Sequence, residues 1–257
     1  VRSRRLGRSL GIDLLPFKTC NLDCIYCECG ATTSHTNIRA DRVDNAAILA
    51  ELDAWFKTHE APDWLTFAGS GEPLLHASLE DLVREIRNRH PEARLALLTN
   101  ALLFTDPAAR RAAALFDLVL PSLDAARDEP FAAVNRPVPG ITVAALIDGL
   151  VAFRELFAKP LWLEIFIVPG VNDTPDDIEA LRAALARIRP ERIQLNSLDR
   201  PGAVAGLRTA TPSELASIAT ALGGDNIEII SRPAATAAAN SVPEPDAEKL
   251  ILLTVDR

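Results

Sequence analysis

The sequence predicts an α/β fold, a partial (β/α)6 barrel of the TIM type with short N-terminal and C-terminal extensions. Three observations carry this. Short apolar runs alternate repeatedly with amphipathic stretches, the pattern of a parallel sheet with helices outside it. Several helical stretches begin on a cap followed by proline, as in Asp106-Pro107, Thr174-Pro175 and Thr211-Pro212. The segments that follow the apolar runs are polar and marked by Gly or Pro, and in β/α barrels the chemistry sits on the loops after the strands.

Ser9–Leu15 reads as the first strand. Val43–His59 spaces Ile48, Leu49, Leu52, Trp55 and Phe56 as one helical face. Trp64–Ala68 is the second strand. Ser78–His90 is a helix, with Ser78 as N-cap, Asp81 three residues on and Pro91 as the stop. Arg94–Thr99 is the third strand, and a helix begins at Asp106-Pro107. Leu118–Ser122 is the fourth strand, followed by a helix over Thr142–Phe157 whose face is Leu146, Ile147, Leu150, Phe153 and Phe157. Leu161–Val168 is the fifth strand, and the next helix buries Ile178, Leu181, Leu185 and Ile188. Arg192–Leu195 is the sixth strand, Thr211 caps another helix, and Asn226–Ile230 is a candidate seventh strand. The barrel is assigned to residues 1–231. Residues 232–257, rich in Ala and Pro, read as a linker and the start of a further C-terminal element. The chain begins at Val1, lacks methionine and stops on the apolar segment Ala247–Arg257, so both ends are expected to be trimmed.

The composition excludes several classes. Apolar residues make up 48% of 257, too many for intrinsic disorder. No apolar run nears the roughly 18 to 20 residues of a membrane span; the best, Leu161–Val168, is interrupted by Glu164. The arginines at 2, 4, 5 and 8 are followed by an interrupted segment, Gly11–Pro16, that is too short for a signal peptide. The expected setting is soluble and cytoplasmic, with no membrane partner.

The four cysteines all lie in Cys20-Asn-Leu-Asp-Cys24-Ile-Tyr-Cys27-Glu-Cys29, together with the one tyrosine of the chain, Tyr26. Four cysteines within ten residues cannot staple a fold of this length, so they read as a metal site in a reducing compartment. Three thiolates spaced C-x3-C-x2-C can hold three corners of an iron–sulfur cubane and leave one iron open. Zinc is the alternative, but a four-cysteine zinc site takes pairs from two chain segments, and no second pair exists. Cys29 falls outside the three-ligand pattern and is left as a neighbouring thiol, a bystander or a redox-active group.

The C-x3-C-x2-C phrase, with an aromatic residue before its last cysteine, resembles the signature of radical S-adenosylmethionine (SAM) enzymes. Gly69-Ser-Gly-Glu72-Pro73 is similar to the Gly-Gly-Glu-Pro motif of that superfamily, with Ser70 between the glycines. Ser122-Leu-Asp124 resembles its ribose-contact segment, and Pro169-Gly-Val-Asn-Asp173 is a further familiar phrase. The opening Ser3–Asp13, running on through Pro16-Phe-Lys-Thr-Cys20, resembles one subgroup, the wyosine-type proteins, named for enzymes that build a tricyclic tRNA base. Many bacterial members of that subgroup have no assigned reaction.

The resemblance implies a radical SAM barrel in which Cys20, Cys24 and Cys27 bind a [4Fe-4S] cluster. SAM binds the open iron, and an electron from a flavodoxin- or ferredoxin-type donor breaks its S–C5′ bond. This gives methionine and a 5′-deoxyadenosyl radical that acts on an unidentified substrate. Tyr26 is expected at the adenine, Gly69 and Gly71 where backbone approaches the methionine moiety, Glu72 at its ammonium or orienting the loop, and Ser122 with Asp124 at the ribose. Asn196 or Ser197 is expected near the adenine, and Thr99, Asn100, Arg136 and Asn172 are weaker candidates. Glu164, a charge inside an apolar strand, either faces the barrel interior as a functional group or meets a Lys or Arg. Two other functions stay open. A tRNA-modifying enzyme fits the subgroup, but a net charge of −8, only three Trp, one Tyr and nine Phe, and no cysteines for a second cluster weigh against nucleic acid. A non-catalytic iron–sulfur electron carrier or sensor explains the cysteines but not Gly69–Pro73.

Overall fold

Each apolar run becomes a strand because its alternate residues have two surfaces to bury. In the computed structural model, which describes residues 2–3 and 5–230, the elements are β1 (Arg2–Ser3), β2 (Gly7–Ile12), β3 (Thr19–Cys20), β4 (Ser34–His35), α1 (Asn45–Thr58), β5 (Trp64–Phe67), α2 (Leu79–Arg89), β6 (Leu95–Thr99), α3 (Pro107–Ala114), β7 (Leu118–Pro121), α4 (Asp128–Asn135), α5 (Val143–Leu156), β8 (Trp162–Phe166), α6 (Pro175–Ile188), β9 (Arg192–Asn196), α7 (Pro212–Leu222) and β10 (Ile227–Ile229). The proposed linker, 232–257, lies outside the described residues.

Seven strands run parallel in chain order. β2, β5, β6 and β7 form one ladder and β8, β9 and β10 another. Parallel bridges Val119–Leu161 and Ser122–Glu164 carry the sheet across from β7 to β8. Six β–α units plus a closing strand make the partial barrel that the alternation predicted. Among the described residues β2 and β10 do not pair, so the barrel is open between them. β1 adds an antiparallel turn to β2, with Arg2 opposite Arg8.

Strand parity divides the core. Leu65, Phe67, Leu95, Leu97, Leu163, Ile165, Ile193 and Leu195 face outward into the main cluster with the helices. Trp64, Ala96, Leu118 and Leu120 face inward and pack with Leu98, Trp162 and Leu6 of the N-terminal turn, which fills the barrel floor. Each fully buried Leu or Phe contributes about 1.5–3 kcal/mol. Helix starts follow the sequence signals: Thr174 with Asp177 and Thr211 with Glu214 form complete capping boxes, each with proline in the first turn. Asp106 and Thr142 also accept cap bonds. Ser78 differs from expectation. It sits at the N-cap but makes no cap bond, because its Oγ faces Asn45 and His76 instead. The unpredicted helix α4 lies between β7 and α5; its apolar residues form one run, Pro130–Val134, too short to show a helical repeat, and it is only eight long.

Candidate active site

The cysteines lie on the long segment between β2 and α1. Its fold depends on a short parallel pair, Thr19–Cys20 with Ser34–His35. All four thiols are free; Cys20 is buried, Cys24 and Cys27 are half-buried, and Cys29 is exposed. Cys20, Cys24 and Cys27 line one cavity of about 260 Å³, which Gly69–Glu72, Asn100, Ser122 and Glu164 also border. Among the described residues no three His, Cys, Asp or Glu are gathered as ligands of a single metal ion would be.

Each of these three thiols receives a side-chain N–H. Lys18 Nζ stands 2.9 Å from Cys27 Sγ, Asn135 Nδ2 lies 3.4 Å from Cys24 Sγ, and Asn100 Nδ2 lies 3.6 Å from Cys20 Sγ. Burial pushes Cys20 up to about 11 and raises Cys24 further. Cys27 goes the other way, to about 5, because the Cys29 thiol hydrogen-bonds to it and the Lys18 ammonium adds a bond and a charge. Burial pulls the Lys18 value down, but the surrounding sulfurs outweigh it and the ammonium is retained. Three thiols at the cavity, each with a donor, fit a cubane cluster held at three corners. N–H···S bonds of this kind hold thiolate charge and tune a cluster. Cys29 donates to Cys27 and is exposed, which fits a neighbour of the ligand set rather than a member.

The Gly-Ser-Gly-Glu loop after β5 is pinned from below. Asp13 Oδ2 accepts from both Ser70 N and Ser70 Oγ, each at 3.0 Å. A Cβ at Gly69 would strike the Asp13 carboxylate, and one at Gly71 would strike the Thr19 carbonyl oxygen. Both positions are therefore glycine because the protein's own chain passes close, while their other side borders the cavity. Glu72 is buried with both oxygens taken: Oε1 accepts from Leu74 N and Thr99 Oγ1, and Oε2 from Asn100 N. It orients the loop, the second of the two roles expected for it. Burial drives its carboxyl up to about 7 despite these donors.

Tyr26 and Asp124 form the opposite wall. The Tyr26 hydroxyl donates to Asp124 Oδ2 at 2.6 Å, and its ring stacks on Phe166 with centroids 3.8 Å apart. Asp124 also accepts from Asn135 Nδ2 at 2.6 Å and Phe166 N at 2.8 Å. Burial raises its carboxyl to about 6. With three protein donors, Asp124 is a hub that aligns Tyr26 and Asn135, and of the expected ribose pair Ser122 is the one with its hydroxyl uncommitted among the described residues.

The remaining candidates separate. Glu164 borders the cavity and meets Arg5 at 2.6 Å, so it both faces the barrel interior and has a basic partner. Asn196 does not reach the cavity wall; its Nδ2 donates to Glu164 and its Oδ1 caps Ser197 N. Ser197 ties Ile167 O to Ala210 N. Asn172 is fully buried and braces Val168 N, Asp124 O and Phe166 O. Arg136 forms a surface ion pair with Asp23 at 3.8 Å, worth little. Sequence reasoning missed Lys18, Asn135 and Asp13. Lys18 had one signal, a lysine two residues before the first cysteine; Asn135 reaches Cys24 across 111 positions and had none.

Comparison with known proteins agrees with this geometry. The sequence matches the radical SAM superfamily over residues 14–184. The chain is 34% identical over 200 residues to a Brachyspira hyodysenteriae protein named GTPase Obg, covering 78% of this chain and 29% of that one. It is 32% identical over 202 residues to a UPF0026 protein of Helicobacter pylori, covering 78% and 65%. The chain thus spans less than two thirds of either relative. A crystal structure of a radical SAM methyltransferase from Sphaerobacter thermophilus superposes with a TM-score of 0.61 at 18% identity, over 87% of this chain and 64% of that one, a likeness of fold. No helix among the described residues is long and apolar enough to cross a membrane. The three-thiol cavity and the extent of the match lead to one conclusion: the chain belongs to the radical SAM superfamily, enzymes that work with a [4Fe-4S] cluster and S-adenosylmethionine.

Proposed function

We propose that this protein binds a [4Fe-4S] cluster through Cys20, Cys24 and Cys27, binds SAM beside it, and reductively cleaves SAM to act on an organic substrate. The observation that carries the reading is the convergence of three thiols, each with its own N–H donor, on the cavity bordered by the Gly69–Glu72 loop. Held by Cys20, Cys24 and Cys27, the cluster would supply one-electron chemistry for reductive cleavage of the S–C5′ bond of SAM, to methionine and a 5′-deoxyadenosyl radical.

The protein's own groups do the rest. Lys18, Asn100 and Asn135 hold negative charge on the sulfurs. Asp13 holds the Gly69–Gly71 backbone through Ser70 and Glu72 ties its end to Thr99 and Asn100, leaving the exposed edge for the methionine moiety. Tyr26, aligned by Asp124 and Phe166, offers its flank to the adenine, and the Ser122 hydroxyl is available to the ribose. Glu164 borders the cavity with its charge met by Arg5. The electron comes from a reduced one-electron donor of flavodoxin or ferredoxin type. The finer affinity to the wyosine-type subgroup rests on the Ser3–Cys20 phrase, and the charge of −8 speaks against tRNA as substrate.

Anaerobic reconstitution tests the binding half. Four irons per chain are expected, with an EPR signal of the reduced cluster that changes when SAM is added. A cluster signal indifferent to SAM would contradict the reading.

A further inference from the structure

We infer that the loop after the sixth strand of the parallel barrel, residues 197–210, is a clamp that fixes Tyr26 and thereby the cysteines on either side of it; the inference rests on the ligand assignment above. The loop is drawn closed at its base, where Ser197 Oγ donates to Ile167 O and accepts from Ala210 N, both at 2.9 Å. From there it crosses to the cysteine segment, 170 or more residues away in sequence, and meets it in four independent ways. Val204 N donates to Ile25 O at 2.9 Å. Gly202 lies against the Tyr26 backbone so closely that a Cβ there would stand 2.7 Å from Tyr26 Cα and 2.8 Å from Ile25 O. Arg200 faces Glu28 at 3.7 Å. Leu198 and Val204 share an apolar cluster with Ile25, Tyr26 and Phe166.

The contacts fall on residues 25, 26 and 28, which frame Cys27 and follow Cys24. Three cysteines on a loop hold one cluster only if the loop keeps one shape, and this stretch has no secondary structure of its own. The Gly202 backbone has no positive φ, so alanine is conformationally allowed there; what glycine supplies is closeness. A side chain at 202 must displace the Tyr26 backbone, because the atoms it meets are main chain and cannot rotate away. Gly202 is therefore a positioning residue: it does not border the three-thiol cavity, and acts through Tyr26.

The test uses the full chain, reconstituted anaerobically, with a ferrous chelator to read cluster release and EPR of the dithionite-reduced cluster with and without SAM. Gly202→Ala is expected to release iron about tenfold faster than wild type and to alter the SAM-induced change in the EPR signal. Ala205→Ser, on the exposed side of the same loop, is expected to match wild type. Leu198→Ala, which removes the apolar contact with Ile25 and Phe166, decides the matter should Gly202→Ala fail to fold: it too should speed release, about three- to tenfold. Hydrogen exchange on the cluster-free protein separates the clamp from the iron chemistry: residues 25–28 should exchange faster in Gly202→Ala whether or not the wild type takes up iron. Wild-type release, spectra and exchange in Gly202→Ala, or wild-type release in Leu198→Ala, would overturn the clamp. Failure of the wild type to take up a four-iron cluster would overturn the ligand assignment instead.

Discussion

The Tyr26 hydroxyl donates a 2.6 Å hydrogen bond to Asp124 Oδ2, joining the cysteine segment to the loop after β7 across 98 positions of sequence. Asp124 in turn holds Asn135, whose amide reaches Cys24, so one carboxylate aligns both an aromatic wall and a thiol donor. Tyr26→Phe keeps the ring on Phe166 and removes only the hydroxyl. We expect a loss of about 1.5–3 kcal/mol in urea unfolding, because a bond to a buried carboxylate is lost. Iron content should stay at wild type while SAM affinity, read by EPR titration, weakens several-fold. Unchanged affinity would show that the bond to Asp124 does not align Tyr26 for SAM.

Glu72 supplies a pH-dependent prediction. Its folded value, about 7, exceeds its unfolded value near 4.5, so the folded state keeps the proton longer and this group's contribution to stability is lost as pH rises through that window. Cys27, held at about 5, works in the opposite sense over an overlapping range. The two are separated by Glu72→Gln, which does not titrate. At pH 5 the variant should be less stable by about 1–3 kcal/mol, since its amide N–H2 faces a backbone N–H that needs an acceptor. That deficit should shrink by about 2–3 kcal/mol by pH 8. Urea midpoints of the cluster-free proteins at the two pH values check it, and a deficit independent of pH would contradict the raised value.

The two glycines of the loop after β5 should differ. A Cβ at Gly71 meets the main-chain carbonyl of Thr19, next to Cys20, and has nowhere to go. Gly71→Ala is expected to cost about 3 kcal/mol and to abolish cluster uptake. A Cβ at Gly69 meets the Asp13 side chain, which can rotate only by giving up its bonds to Ser70, so Gly69→Ala should cost about 1.5–3 kcal/mol but keep the cluster. Thermal unfolding and iron analysis of the pair would reveal equal effects if the close approaches were of one kind.

Cysteine variants test the ligand set. Cys20→Ala, Cys24→Ala and Cys27→Ala should each lose the four-iron cluster. Cys29→Ala should keep it, because that thiol is exposed and donates to Cys27. Loss of the cluster in Cys29→Ala would make it a ligand.

Much of this was legible in sequence because it is local. Strand runs such as Leu95–Thr99 and the cap-proline starts at Thr174 and Thr211 carry their own signals within a few residues. The three thiols and the Gly69–Glu72 loop were legible as spacing. What escaped depends on distant contacts. The Asn135 amide and the Gly202 approach to Tyr26 become visible only when β7, β8 and β9 bring their loops to one end of the barrel. Asp124 was found as a polar strand end, but its three donors, from residues 26, 135 and 166, are distant in sequence and gave no local signal. The glycines read as places where backbone approaches the methionine moiety; the close approaches in the structure are to Asp13 at Gly69 and to Thr19 at Gly71.

The most direct test of the central claim is a product assay. Reconstituted protein, incubated anaerobically with SAM and excess dithionite, should form 5′-deoxyadenosine and methionine in equal amounts, and Cys24→Ala should form neither. A full four-iron cluster that yields no 5′-deoxyadenosine above the Cys24→Ala background would contradict SAM cleavage by this protein.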